Sequence, residues 1–158
     1  MKLLSTDCPS TSTLCTYRIE PTQRLRVEEY QGRIGLEDLR SVAEAVVKDP
    51  AWSREHHGLI DFSAAHLDLT ANDVLRLALL LRQEEHRTNG WLVFAVGDSS
   101  SFGTVRMLGH WSRNTDRSRI FRTRQEAEAW LELNADHIPP GFGSGFTDAY
   151  QPAVRNAG

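Results

Sequence analysis

No run of about 18 apolar residues occurs in the 158-residue sequence, so nothing in it is patterned to cross a membrane as a helix. Cysteine is scarce: Cys8 and Cys15 both lie in a Ser/Thr-rich stretch at the start, without a Cys/His grouping at metal-site spacing. Two thiols this close could close only a small loop. They read as free cysteines in a reducing cytoplasm. Excess positive charge is also missing. Lys plus Arg number 18 against 21 acidic residues, a net charge of -3, which argues against a nucleic-acid-binding surface as the main role. Met1-Lys2-Leu3-Leu4 turns polar at Ser5, so the apolar core of a secretory signal is not there. There is no internal repeat, no Gly-x-Ser-x-Gly nucleophile elbow and no phosphate-binding P-loop. What remains, at 40% hydrophobic and 25% charged, is the composition of one soluble domain. A chain of this length buries enough surface to need no disulfide or metal.

The body of the chain is regularly punctuated. Residues 16–20 and 24–30 alternate apolar and polar about Pro21-Thr22-Gln23, which predicts a β-hairpin. Leu25 and Val27 share one of its faces, and the arginines and glutamates of the other suit an exposed or edge position. Gly32 and Gly35 end the strand. Leu36, Leu39, Val42, Ala43, Val46 and Val47 then form an amphipathic helical stripe, stopped at Asp49-Pro50. A short strand over 58–62 follows. Thr70 and Asp73 cap a leucine-rich helix that is apolar nearly all round, hence expected to be well covered. Residues 91–96 do not alternate, the mark of a strand buried on both faces. A third helix carries Phe102, Val105, Met107, Leu108 and Trp111. Ile120-Phe121 is a last short strand, and Thr123 with Glu126 caps a fourth helix. The order β-β-α-β-α-β-α-β-α implies a mostly parallel α/β sheet opened by an antiparallel hairpin. The domain is expected over 16–133. Residues 1–15 read as a flexible leader. Residues 134–158 read as a Gly/Pro-rich tail whose Phe142, Phe146 and Tyr150 could pack on a second copy of the chain.

Three strings carry a resemblance: residues 30–39, containing Gly32-Arg33-Ile34-Gly35-Leu36-Glu37-Asp38-Leu39; Leu59-Ile60-Asp61-Phe62; and Arg119-Ile120-Phe121-Arg122 with Glu126-Ala127 and Trp130-Leu131. In this order and spacing the chain resembles the SpoIIAA-like (STAS-like) family of small bacterial proteins over residues 16–133. The resemblance implies a STAS-like α/β fold: a mixed, mostly parallel sheet with an N-terminal hairpin and four helices. It further implies a regulatory module that works by protein contact, often under control of a phosphoserine at a helix start. Here the corresponding string is Asp61-Phe62-Ser63-Ala64-Ala65, which departs from the Asp-Ser-Ser-Gly type, so the phosphosite is not carried over. The same branch is likened to lipid-carrying Sec14-type domains.

In open parallel sheets, ligands sit beyond the carboxyl ends of the strands. Two loops qualify. One spans 61–68, with Asp61, Ser63 and His66; the other spans 97–101, with Asp98 and Ser99. With Phe102, Met107 and Trp111 of the third helix they form the expected ligand- or partner-binding edge. Asp61, Ser63 and His66 also permit a nucleophile arrangement, but all three come from one short segment, whereas catalytic partners usually converge from several. No catalytic residue, metal or cofactor is assigned. The histidines read as surface residues without metal. The basic run Arg113, Arg117, Arg119, Arg122 and Arg124 reads as a solvated face, with an anion or acidic partner as the alternative. The expected function is a non-enzymatic cytoplasmic module contacting another protein. A carrier or sensor of a small apolar ligand or lipid is the alternative, and a hydrolase-like enzyme a weaker third.

Overall fold

The computed structural model describes residues 2–5 and 13–137. Its core is one six-stranded sheet in the order β1-β2-β3-β4-β5-β6. The strands are β1 (Lys2–Ser5), β2 (Leu14–Glu20), β3 (Leu25–Ile34), β4 (His57–Leu67), β5 (Leu92–Val96) and β6 (Ser118–Phe121). The helices are α1 (Leu36–Lys48), α2 (Ala71–Leu81), α3 (Ser99–Trp111) and α4 (Arg124–Asn134). β1 and β2, and β2 and β3, pair antiparallel; β3 to β6 are parallel. The α/β class, the hairpin and the four helices are as expected from the sequence.

The capping signals act as read. Asp73 N–H donates to Thr70 Oγ1 at 3.1 Å while Thr70 N–H donates to Asp73 Oδ2 at 3.0 Å, a reciprocal box that starts α2. Thr123 Oγ1 accepts from Glu126 N–H at the start of α4. Helices cover both sheet faces. α1, α2 and α3 lie over Tyr30, Ile60, Phe62 and Val96. Ala127 and Leu131 of α4 pack against Val27, Leu59, Val93 and Ala95 on the opposite face. This explains the unalternating β5: Leu92 and Val96 face three helices, Val93 and Ala95 the fourth.

Four expectations are corrected. The first concerns the leader: Lys2–Ser5 is a strand, and Leu14 and Cys15 begin β2, so the described part of 1–15 belongs to the sheet. The hairpin is therefore not at the edge, because β1 covers β2. Cys15 is buried, and burial pushes its thiol up to about 12, so it is protonated at neutral pH. Cys8 lies outside the described residues, as do Phe142, Phe146 and Tyr150.

Second, β3 continues through Gly32 (φ 86°) to Ile34, and β4 continues to Leu67, so Asp61, Ser63 and His66 stand on a strand rather than in a loop. The register slips between Glu29↔Asp61 and Gln31↔Ala64, which makes a bulge. Core-facing positions thus run Phe62, Ala65, Leu67, and the break in the two-residue period hides the strand's second half. Third, α2 is not covered all round: Leu75 is 42% and Leu79 50% exposed. Fourth, Asn134 ends α4, and the described residues that follow it, 135–137, are tied down. Trp91 Nε1–H donates to the carbonyls of Asn134 and His137, at 3.1 and 3.0 Å.

Candidate functional site

The expected edge exists, and its residues brace one another. Gly97 lies against β4: a β-carbon there would sit 2.9 Å from the Ser63 carbonyl oxygen, so only glycine allows this approach. Asp98, rather than Ser99, caps α3. Its carboxylate accepts from Ser101 N–H (2.7 Å) and from Ser101 Oγ–H (2.8 Å), while Ser101 Oγ accepts from Leu67 N–H (2.9 Å). The Ser101 backbone hydrogen bond holds the Asp98 carboxyl below its usual range. His66 Nδ1 stands 3.5 Å from Asp98 Oδ2. Ser63 Oγ donates to Asp61 Oδ1 at 2.6 Å, and Arg124 donates to Asp61 Oδ2 at 3.0 Å. Burial opposes ionisation of Asp61, but the Ser63 and Arg124 hydrogen bonds outweigh it and its carboxyl lies low. The three residues of the nucleophile arrangement are thus divided: Ser63 pairs with Asp61, and His66 with Asp98. Phe102 lies under Arg122, whose guanidinium carbon is 4.3 Å from the ring centre. Met107 and Trp111 are half-buried against the three-helix core. Ser99 is exposed.

The surface reading of the histidines is corrected for three of them, while His66 and His110 are exposed. His56 and His57 are buried, and the His86 side chain is only 3% exposed. His57 Nδ1 accepts from Trp91 N–H at 2.9 Å, so its proton is on Nε2, which donates to the Ala135 carbonyl at 2.8 Å. Burial is the largest cause lowering all three pKa values; Arg26 adds to it for His56 and His86, and Arg24 for His57. A depressed folded value means the unfolded chain takes up protons first as pH falls. The stability these rings contribute is complete above about pH 6.5, the unfolded value, and is lost as pH drops below it. Denaturant unfolding at pH 7 and pH 5 should therefore show lower stability at pH 5. His57→Asn, which keeps an acceptor near Trp91 N–H, should flatten the slope. Equal stability at the two values would contradict this account.

None of the eight residues of the expected edge lines either of the two hollows described next. The internal space lies between the sheet and α1, α2 and α3: a largely apolar cavity of about 100 Å3 walled by residues that include Ile60, Phe62, Leu77, Val105 and Leu108. A polar group lines one part of it. Arg26, Glu28 and Tyr30 alternate along β3 and face the helices. Tyr30 Oη donates to Glu28 Oε1 at 2.6 Å, and Arg26 Nε lies 2.7 Å from Glu28 Oε2. That second contact is an ion pair whose N–H is not aimed at the oxygen, so Arg26 Nε is buried without a hydrogen bond. Trp52 Nε1, also buried, has no acceptor among the described residues. Both residues line the cavity, as does His86. Gly58 makes room for the guanidinium: a β-carbon there would stand 2.6 Å from Arg26 Nη2. The alternation of β3 is visible in the sequence, but not which of its sides is covered. Charged residues alternating with Leu25 and Val27 read as the wet face of a hairpin, yet both faces of β3 are covered.

A second hollow of about 220 Å3 adjoins this cavity, with Leu81, Thr88 and Asn114 lining both. Its remaining walls are Arg82, Arg87, Arg113, Arg117, Ser112 and Asp116. The basic run of the sequence is thereby dispersed. Arg113 and Arg117 line this cleft. Arg119 is buried with its guanidinium over both Trp91 and Trp130, at 5.0 and 5.4 Å from the ring centres. Arg124 joins Asp61 to Glu29.

No family model and no curated protein matches the sequence. Among solved structures, the chain is similar to an uncharacterized protein of the DUF3478 family with a SpoIIAA-like fold, from Shewanella loihica PV-4. Identity is 13% and the TM-score 0.50, over 80% of this chain and 98% of that one. The fold is SpoIIAA-like, the STAS-like architecture expected from the sequence. Among the described residues, no helix is long and apolar enough to cross a membrane.

Proposed function

We propose that the protein is a non-enzymatic binding module whose occupant is a small, mostly apolar molecule bearing a hydrogen-bond acceptor. One observation carries the reading: an apolar cavity lined by Trp52, whose buried indole N–H has no acceptor among the described residues, and by Arg26, which is ion-paired to Glu28 in the same wall. Buried donors are nearly always satisfied, by protein or by ordered water, so an occupant with an acceptor within reach of Trp52 Nε1 is favoured over a purely apolar one. Size narrows the class. A cavity of about 150 Å3 suffices for benzene, and this one is about 100 Å3. It is about two-thirds of that size, so it takes a short chain whole and a single ring only in part, and a two-chain lipid not at all. Leu81, Thr104 and Asn114 in its wall are half-exposed. The proposed role is that of a sensor or carrier of such a molecule.

Benzyl alcohol, a single ring with one acceptor oxygen, is the probe. Titrated into the labelled protein, it should shift the NMR signals of the Trp52 indole N–H and of the Val105 and Leu108 amides. Ala43→Met, which fills the cavity from α1, should abolish the response. Shifts scattered over the surface, or none, would sink the reading. Protein contact is the second reading. It draws on exposed Leu75 and Leu79, one turn apart on α2, which form an apolar patch on an otherwise polar face. A stoichiometric partner that Leu79→Glu fails to weaken would remove it.

A further inference from the structure

We propose that the cavity's ligand is an amphipathic anion: a ring or short chain in the apolar space, ending in a carboxylate or phosphate held by the adjoining arginine cleft. This rests on the cavity reading and assigns its ligand a charge. The first ground is contiguity. Leu81, Thr88 and Asn114 line both hollows, so the two adjoin across these side chains, and the proposed ligand reaches the arginines past half-exposed Leu81 and Asn114.

The second ground is charge. The chain as a whole carries -3, yet four arginines line this cleft against one carboxylate, Asp116. Asp116 is taken up by Arg117, whose Nε lies 3.8 Å away. Arg117 is also fixed in place, its Nη1 donating to the Thr88 carbonyl at 2.5 Å. Arg87 is anchored to Glu84 at 3.3 Å. The guanidinium groups of Arg82 and Arg113 have no ion-pair or hydrogen-bond partner among the described residues. Two arginines are thus held by the protein and two are open to an anion, for which the planar fork of the guanidinium gives paired hydrogen bonds.

The third ground is backbone. Arg113 has φ 64°, a left-handed conformation that glycine or asparagine adopts far more readily. α2 and α3 both end at the cleft, at Arg82 and Ser112, and helix carboxyl ends favour cations. Arg82 and Arg113 bring two full charges against about half a charge at each helix end, leaving positive charge for a ligand.

The test compares phenylacetate, phenyl phosphate and neutral phenylacetamide by calorimetric titration at pH 7. At least one anion should bind tenfold or more tighter than the amide, about what one charge-assisted contact supplies. Arg82→Gln combined with Arg113→Gln should erase that preference while leaving amide binding within about twofold, as expected for contacts to the anionic end alone. Which anion is preferred distinguishes a carboxylate from a phosphate ligand. Equal binding of the anions and the amide would overturn the inference and leave the cavity reading standing. A preference that survives in the double variant would place the anion elsewhere and overturn it too. Failure of all three compounds would remove the cavity reading and this inference together.

Discussion

Trp91→Ala is expected to lower the unfolding free energy by about 3–5 kcal/mol, the range for truncating a buried large aromatic. Trp91 is 5% exposed and sits just before β5. Its ring meets Trp130 edge-on, with centroids 5.1 Å apart at 87°, and the buried Arg119 guanidinium lies over both rings. Its indole N–H ties the end of α4 to the sheet through the Asn134 and His137 carbonyls. Truncation therefore opens a void, strips one ring from a buried cation and frees the last turn of α4. Trp91→Phe keeps an aromatic face but not the N–H, so the smaller loss of that variant isolates the hydrogen bonds. Denaturant unfolding measures both, and amide exchange should report opening of residues 131–137 first. A loss below about 1 kcal/mol for the alanine variant would mean that α4 is held by other contacts.

The second large effect concerns the ion pair in the cavity wall. Arg26→Met should cost about 3–5 kcal/mol, because it strands the Glu28 carboxylate where the side chain is 11% exposed. Tyr30 cannot take over as counter-charge. Burial first, and Glu28 second, hold its hydroxyl well above its usual range, so it remains a neutral donor. The pair Arg26→Met with Glu28→Gln removes both charges and keeps an acceptor for Tyr30 Oη. It should recover most of the loss, since replacing both members of a buried pair is often close to neutral. A double-mutant cycle by denaturant unfolding reads the coupling. Losses that simply add would show that Arg26 and Glu28 are not coupled. Because the double variant stays folded in this account, it also separates the structural role of Arg26 from any role as a donor to the ligand.

The benzyl alcohol titration and these stability measurements probe the same region from two sides. A folded protein usually satisfies buried polar atoms, and it does so here at Asp61, Asp98 and Ser101. Against that background, the Trp52 indole N–H has no acceptor among the described residues and lines the cavity, beside the ion-paired Arg26. The sequence directed attention to the strand-end edge, where polar residues cluster in a short segment. In the structure these groups satisfy one another.

The sequence by itself determined the element order from β2 onward, the hairpin, the capped starts of α2 and α4, and the doubly covered β5; the strand β1 in the leader was not legible. Each depends on local periodicity or on a cap that two or three neighbouring residues complete. The extent of β4 was hidden, because a bulge shifts its inward face by one residue after Phe62. The side of the hairpin that stays wet was hidden as well. Alternation shows that a strand has two faces but not how many are covered, and only the stacking of α1, α2 and α3 buries Arg26 and Glu28. The arginine cleft draws on residues 82, 87, 113 and 117, which are brought together where two helices end. Tertiary structure alone decided the candidate site, because its residues are distant in sequence and each reads, on its own strand or helix, as ordinary surface.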